Sequence, residues 1–436
     1  MNRRRVVLQD NWVKFAIVFC VVNLHVLRNI SEIAYLAVYV PVAGHVALRY
    51  LSLRKRELLA DRGNLFLVWV LVALSAFCVS LLVISPSGAV TGLTRFLFAT
   101  PVFMAFVVYT DDAGDLLKHV RTIVVFFGIA SLTLPLQLAT GPISWFAEES
   151  TRAGLERYSS LVGSLTSVGV AVGSYLILTQ MLPTVSRNVW LSLTAIAALT
   201  SLSKASVANV ALGVCLIAYL NRRSLSRILA FVVVGLLMGF FVVLKVPVVT
   251  ERLSVPLSGF GVSISNSEVV NYDRSASGSA SDRMTSLPLA NIEALRDLHS
   301  PLVYLVGGGF GMGSTALVPK TDATAPMAHN QFAESLSVFG ALGGGIQIYI
   351  MGTIARRLYR RRRSDASLLS SVTLMAYGLF LVNSVFANGT IYQPAEASIL
   401  YLSLFVATSS IVGRESGALV SRVRDDSPVV VKGNDP

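Results

Sequence analysis

Apolar runs of fifteen to twenty-four residues alternate with short polar connections along most of this chain. They lie near 11–28, 31–50, 65–84, 93–109, 122–140, 164–182, 189–203, 206–220, 228–246, 330–353, 368–387 and 397–412. A bilayer core is crossed by roughly 17–25 apolar residues in a helix. The pattern therefore predicts an all-α integral membrane protein with about twelve transmembrane helices. The seventh and eighth runs are short and form a hairpin whose tight turn holds Ser203-Lys204-Ala205-Ser206. One long polar interval, 247–329, breaks the rhythm. The predicted organisation is nine helices over 1–246, a large loop over 247–329, three helices over 330–412 and a polar tail over 413–436.

The loop has two halves. Residues 257–281 are rich in Ser, Gly and Asn and read as irregular chain. Residues 282–299 carry Met284, Leu287, Ile292, Leu295 and Leu298 at helical spacing, which predicts a short amphipathic helix. Ser281 or Asp282 can cap its start. Such a helix either lies on the membrane surface or packs over the bundle.

Composition supports the membrane reading. The 436 residues are 54% hydrophobic and only 14% charged, against about 25% charged in a soluble domain. No small-residue cleavage site follows the first apolar run, so it reads as a retained helix. Cys20, Cys78 and Cys215 all fall inside apolar runs, which argues against a disulfide framework or a C-x-x-C metal site.

A net charge of +12 would suit a nucleic-acid partner, but its distribution argues otherwise. With a cytoplasmic N-terminus, the 36 Lys and Arg divide 25 inside to 11 outside. That is the positive-inside bias. It predicts both termini inside and the 247–329 loop outside, with the basic excess held against the anionic inner leaflet. The run Arg356–Arg363 has this topological role as its plain explanation. Arginines on the outer face escape that explanation.

Several outer residues have chemistry to offer. Arg283 falls in the first turn of the amphipathic helix. A guanidinium beside free helix N–H groups suits a phosphate, although from local sequence alone an exposed arginine next to Asp282 is the plainer reading. The loop also holds seven acids against five bases, so it provides no general anion-attracting field. The glycine run Gly307–Gly313 matches neither a P-loop nor a dinucleotide fingerprint. Its glycines allow tight turns and close backbone approach.

His329-Asn330 stands at the mouth of the tenth run. An imidazole there suits proton transfer near neutral pH, or simply an interfacial position. Lys204 either reaches into an outer cavity or snorkels to headgroups. Arg152 and Arg157 form another outer basic pair. Tyr392, Gln393 and Glu396 offer hydroxyl, amide and carboxylate near the last outer loop, and Glu396 can orient a base or bind a sugar hydroxyl. Neither a zinc pattern nor a D-x-D nucleotide–metal motif stands in an outer loop, so the expected site uses no metal and no cofactor.

In their order along the chain, these features resemble the O-antigen ligase/polymerase superfamily of membrane glycosyltransferases. The matching stretches are Thr151-Arg152-Ala153-Gly154, Thr200 through Ser206, Ser281-Asp282-Arg283-Met284, Gly307–Gly313, and His329-Asn330-Gln331 through Gly340-Ala341-Leu342-Gly343. The likeness covers about 150–415.

The resemblance implies a bacterial inner-membrane enzyme with an undecaprenyl-diphosphate-linked glycan as donor. A glycan or lipid-linked acceptor and a chain-length or export partner are the other implied partners, and nucleic acid is not among them. On this resemblance Arg283 binds diphosphate and His329 acts on the acceptor hydroxyl. Lys204 stands where the family commonly has arginine, which keeps the charge and loses the bidentate fork. Arg152, Arg157, Asn330 and Glu396 complete the expected substrate contacts. Polymerase and ligase roles are not separable from the sequence, with polymerase slightly favoured. A polytopic transporter or a non-catalytic export partner remains the alternative class.

Overall fold

A computed structural model describes residues 11–14, 16–18, 31–52, 56–83, 86–143, 150–152, 155–163, 167–201, 203–221, 286–312, 328–365, 367–387 and 389–409. Among them the chain is a helical bundle with one short β-hairpin. The first helices are α1 (Glu32–Ser52), α2 (Arg56–Val83), α3 (Pro86–Ala99), α4 (Pro101–Tyr109), α5 (Ala113–Ser131) and α6 (Thr133–Thr140). The hairpin pairs β1 (Ser150–Arg152) with β2 (Leu155–Arg157) in antiparallel register. Then come α7 (Ser167–Leu178), α8 (Thr184–Thr200), α9 (Lys204–Leu220), α10 (Ser286–Glu293) and α11 (Val303–Val306). The last three are α12 (Gln331–Asp365), α13 (Leu368–Phe386) and α14 (Pro394–Thr408).

Local sequence explains several boundaries. Pro101 has no N–H to lose at the first turn of a helix, so the 86–109 run is divided into α3 and α4 there. Asp112, Ser203 and Ser367 cap α5, α9 and α13 by accepting the backbone N–H three residues on.

Among the described residues, six stretches are long and apolar enough to cross a membrane: Ile33–Ser52, Asn64–Val83, Pro86–Tyr109, Ala113–Gln137, Gln331–Ser364 and Leu368–Phe386. Shorter apolar helices cover Ser167–Met181, Ala205–Leu220 and Pro394–Thr408. The expected runs at 164–182, 206–220 and 397–412 correspond to these shorter helices. The expected 189–203 run is α8, of 17 residues. Most of 11–28 and all of 228–246 lie outside the described residues. Two of the shorter helices, α7 and α14, are buried along nearly their whole length. A helix sheathed by protein has no need to match the thickness of a bilayer. The β-hairpin was also not foreseen, because three-residue strands carry no readable periodicity.

Of the amphipathic stretch expected at 282–299, the part from Ser286 is described. It is α10 followed by a 3₁₀ turn over Ala294–Leu298, closed by His299 in the left-handed conformation. Leu295 is buried and α10 packs against α12, so this segment lies over the bundle.

Four helices run parallel. Gly169 and Gly173 of α7 let α9 approach closely: a side-chain carbon on Gly169 would meet Ser203 and Ser206, and Gly173 lies against Asn209 and Gly213. Small residues at four-residue spacing are what close helix contact in a bilayer requires. Ser167 and Tyr175 of α7 reach, in that order, Gln393 just before α14 and Ser398 within it, at 2.7 and 2.6 Å. Gln331 at the start of α12 bonds Thr390 just before α14, while Arg361 near its end donates to the Ser409 carbonyl. α13 runs the opposite way between them, with Asn383 bonding Val170 and Ser174 bonding Ala376.

Candidate functional site

The parallel arrangement brings the N-termini of α7, α9, α12 and α14 to one end of the bundle, opposite the end that carries Arg356–Arg363 on α12. A helix N-terminus presents free N–H groups and partial positive charge. The meeting point is the 389–393 segment. Ser167 donates to Gln393, the residue just before α14, and Thr390 donates to Gln331 of α12.

The first nine residues of α12 form a separate unit. Gly340 has φ 70° and ψ −177°, so the helix breaks there and 331–339 stands as a half-helix. The break frees the Ser337 and Val338 carbonyls. Gly308 and Gly309 fill them, donating at 2.9 and 3.0 Å. Gly311 donates to Ser80 of α2 at 3.1 Å. The glycine run thus makes its close backbone approach to the protein's own backbone.

At its other end the half-helix is tied to the 389–393 segment. Glu334 is fully buried, and its Oε2 accepts the Gly389 N–H at 2.9 Å. Thr390 also shares a hydrogen bond with Ser384 at 3.1 Å. Tyr392 is buried beside them. Burial first, then the nearby Glu334 and Tyr401, push its phenol well above the usual range. It stays protonated across physiological pH as a potential donor.

His329 and Asn330 stand at the tip of this half-helix. His329 has φ 48°, an uncommon conformation for a residue with a Cβ. The Asn330 side-chain oxygen accepts from Phe332 and Ala333 at 2.9 and 3.1 Å, so Asn330 is the cap of α12. Glu396, expected at a span's start, lies in the first turn of α14 and is 2% exposed. It interacts electrostatically with Tyr175 across the α7–α14 seam, and its Oε2 has no hydrogen-bond partner among the described residues.

The other expected site residues are placed in part. Lys204 opens α9, one residue after the Ser203 cap. Arg152 and Arg157 lie on the two strands of the hairpin, Arg152 opposite Leu155 and Arg157 opposite Ser150. Their side chains and that of Lys204 fall outside the described atoms, and Arg283 lies outside the described residues altogether. The structure therefore puts the backbones of Lys204, His329, Asn330 and Glu396 at the same end of the bundle. Among the described residues, no group of three or more His, Cys, Asp and Glu is placed to hold a metal ion.

Sequence reasoning missed Glu334, Gln331 and Thr390. Glu334 had a signal, since an acid inside a predicted span is by default a functional candidate. Thr390 had none, because only the fold returns it to α12. No protein-family model matches the chain, and no curated protein matches it significantly.

Proposed function

We propose that this chain is a glycosyltransferase of the O-antigen ligase/polymerase type, acting on the outer face of a bacterial inner membrane. Its donor is a glycan on undecaprenyl diphosphate, and its acceptor is a sugar hydroxyl. The observation that carries this reading is the convergence of four helix N-termini on one end of the bundle, with Lys204, His329, Asn330 and Glu396 carried there. The partial positive charge of the helix ends and the basic residues expected beside them match the charge that develops on a diphosphate leaving group.

In this scheme the acceptor oxygen attacks the anomeric carbon and gives its proton to His329. The bond from that carbon to the diphosphate oxygen breaks. The leaving polyprenyl diphosphate is neutralised by Arg283, Lys204 and the helix ends, with Arg152 and Arg157 as further cations for the carrier. Glu396, expected among the substrate contacts, is buried in the first turn of α14 against Tyr175 and takes no part in this scheme. Polymerisation remains slightly favoured over ligation.

One observation favours a second reading, a glycan transporter. A helix interrupted inside the membrane beside a buried acid is a feature of transporter sites, and α12 has both in Gly340 and Glu334. In transporters the freed carbonyls coordinate the cargo or its ion. Here Gly308 and Gly309 occupy them, which weighs toward the transferase.

The test is the lipid-linked glycan pool in cells carrying His329→Ala or Arg283→Ala at normal protein level. A polymerase predicts single repeats accumulating on the carrier outside the membrane, and a ligase predicts long chains there. Accumulation on the inner face indicates transport. An unchanged pool and unchanged surface glycan sink the enzyme reading.

A further inference from the structure

Glu334 is a fully buried acid to which the proposed chemistry assigns no part. It sits on the half-helix that carries His329, and that unit is isolated from the rest of α12 by the Gly340 break. A nine-residue helix detached from its span has no continuous backbone ladder to fix its direction. Its direction is set by what holds its two ends. The distal end is held by Gly308 and Gly309 on the Ser337 and Val338 carbonyls. The end that presents His329 is held by Glu334 on the Gly389 N–H and by Gln331 on Thr390.

Gly389 has φ 69°, and Tyr392 and Gln393 both donate to its carbonyl at 3.0 Å. The segment that Glu334 grips is therefore the tight turn that launches α14 and Glu396. A carboxylate accepting a backbone N–H is a strong hydrogen bond. Leaving that buried N–H without an acceptor is costly. The left-handed conformation of His329 also persists only where surrounding structure over-determines it.

We propose that Glu334 is a positioning residue. It fastens the half-helix to the 389–393 turn, and so fixes His329 relative to the first turn of α14. This rests on the transferase reading for its functional consequence, while the clamp itself is a property of the fold. The need is for an acceptor oxygen at this point, which a glutamine supplies as well as a glutamate.

The experiment uses the full chain in detergent micelles and in cells lacking the native copy. Hydrogen exchange read by mass spectrometry follows peptides over 389–393, and surface glycan is measured at matched protein level. Glu334→Ala is expected to speed exchange there about tenfold and to cut glycan about tenfold. Glu334→Gln is expected to restore both.

Unchanged exchange in Glu334→Ala overturns the clamp. A Glu334→Gln variant as defective in glycan as the alanine overturns the acceptor role in favour of charge. If Glu334→Ala does not accumulate, Thr390→Val takes its place. It removes the neighbouring tie to Gln331 with little change of volume, and faster exchange with less glycan is expected. Wild-type behaviour of Thr390→Val overturns the proposal. His329→Ala serves as the control: intact glycan there defeats the transferase reading, whereas the exchange data judge the clamp separately.

Discussion

Gly307 and Gly340 face each other backbone to backbone, 33 positions apart in the sequence. A side-chain carbon built on either one would strike the backbone nitrogen of the other. Both have positive φ, 81° and 70°. This contact docks the glycine run into the break in α12, and it sets where the His329 half-helix ends and the longer remainder of α12 begins.

Gly340→Ala tests that contact. The Gly340 conformation is close to glycine-only, and strain of this kind costs about 1–3 kcal/mol before any collision is counted. The added methyl would also strike the Leu305 carbonyl. The expected result is a clearly lower thermal unfolding midpoint in detergent, followed by tryptophan fluorescence. Gly345→Ala, where a side-chain carbon meets nothing nearby, is the matched control and should be near wild type. Equal midpoints for the two variants would refute the interlock.

Asn330 was expected to bind substrate, and the structure gives it a capping role. Asn330→Ala should lower stability by about 1 kcal/mol through loss of the cap. Asn330→Asp and Asn330→Ser, which retain an acceptor oxygen, should recover most of it. Surface glycan separates the two roles. If Asn330→Ser is stable and makes normal glycan, the residue is a cap alone. If it is stable but deficient, Asn330 also touches substrate.

The proposed orientation can be checked by labelling. His299 is exposed near the loop end of the bundle, and Ser364 is exposed near the end of α12 that carries the arginine run. In a cysteine-free background, His299→Cys should react with a membrane-impermeant maleimide applied from outside. Ser364→Cys should react only after the membrane is opened. The reverse pattern would invert the topology and remove the site from the outer face.

Lys204 opens α9 at the shared end. If it meets diphosphate as a point charge, Lys204→Ala should reduce surface glycan severalfold, and Lys204→Arg should retain it. Retention of full glycan by Lys204→Ala, at equal protein level, would assign the lysine to the headgroup region.

The expected runs at 31–50, 65–84, 330–353 and 368–387 all correspond to helices α1, α2, α12 and α13, because burial in lipid or protein demands the same apolar continuity. The turn between α8 and α9 was legible as the short polar break at Ser203–Ser206, while the cap that Ser203 makes to the Ser206 N–H was seen only in the structure. The sequence by itself determined the apolar helical class and the polar positions His329 and Asn330 at the mouth of α12. Only the tertiary structure decided that α7, α9, α12 and α14 run parallel. Helix direction within a bundle depends on connections and on distant contacts such as Ser167 with Gln393, 226 positions apart. It also decided the fate of the glycine run. Glycine permits close approach without naming the partner, and here the partner is the interrupted backbone of α12. Glu334 shows the same limit. Its acidity inside an apolar run was visible, but its grip on Gly389 exists only because α13 turns the chain back to meet α12.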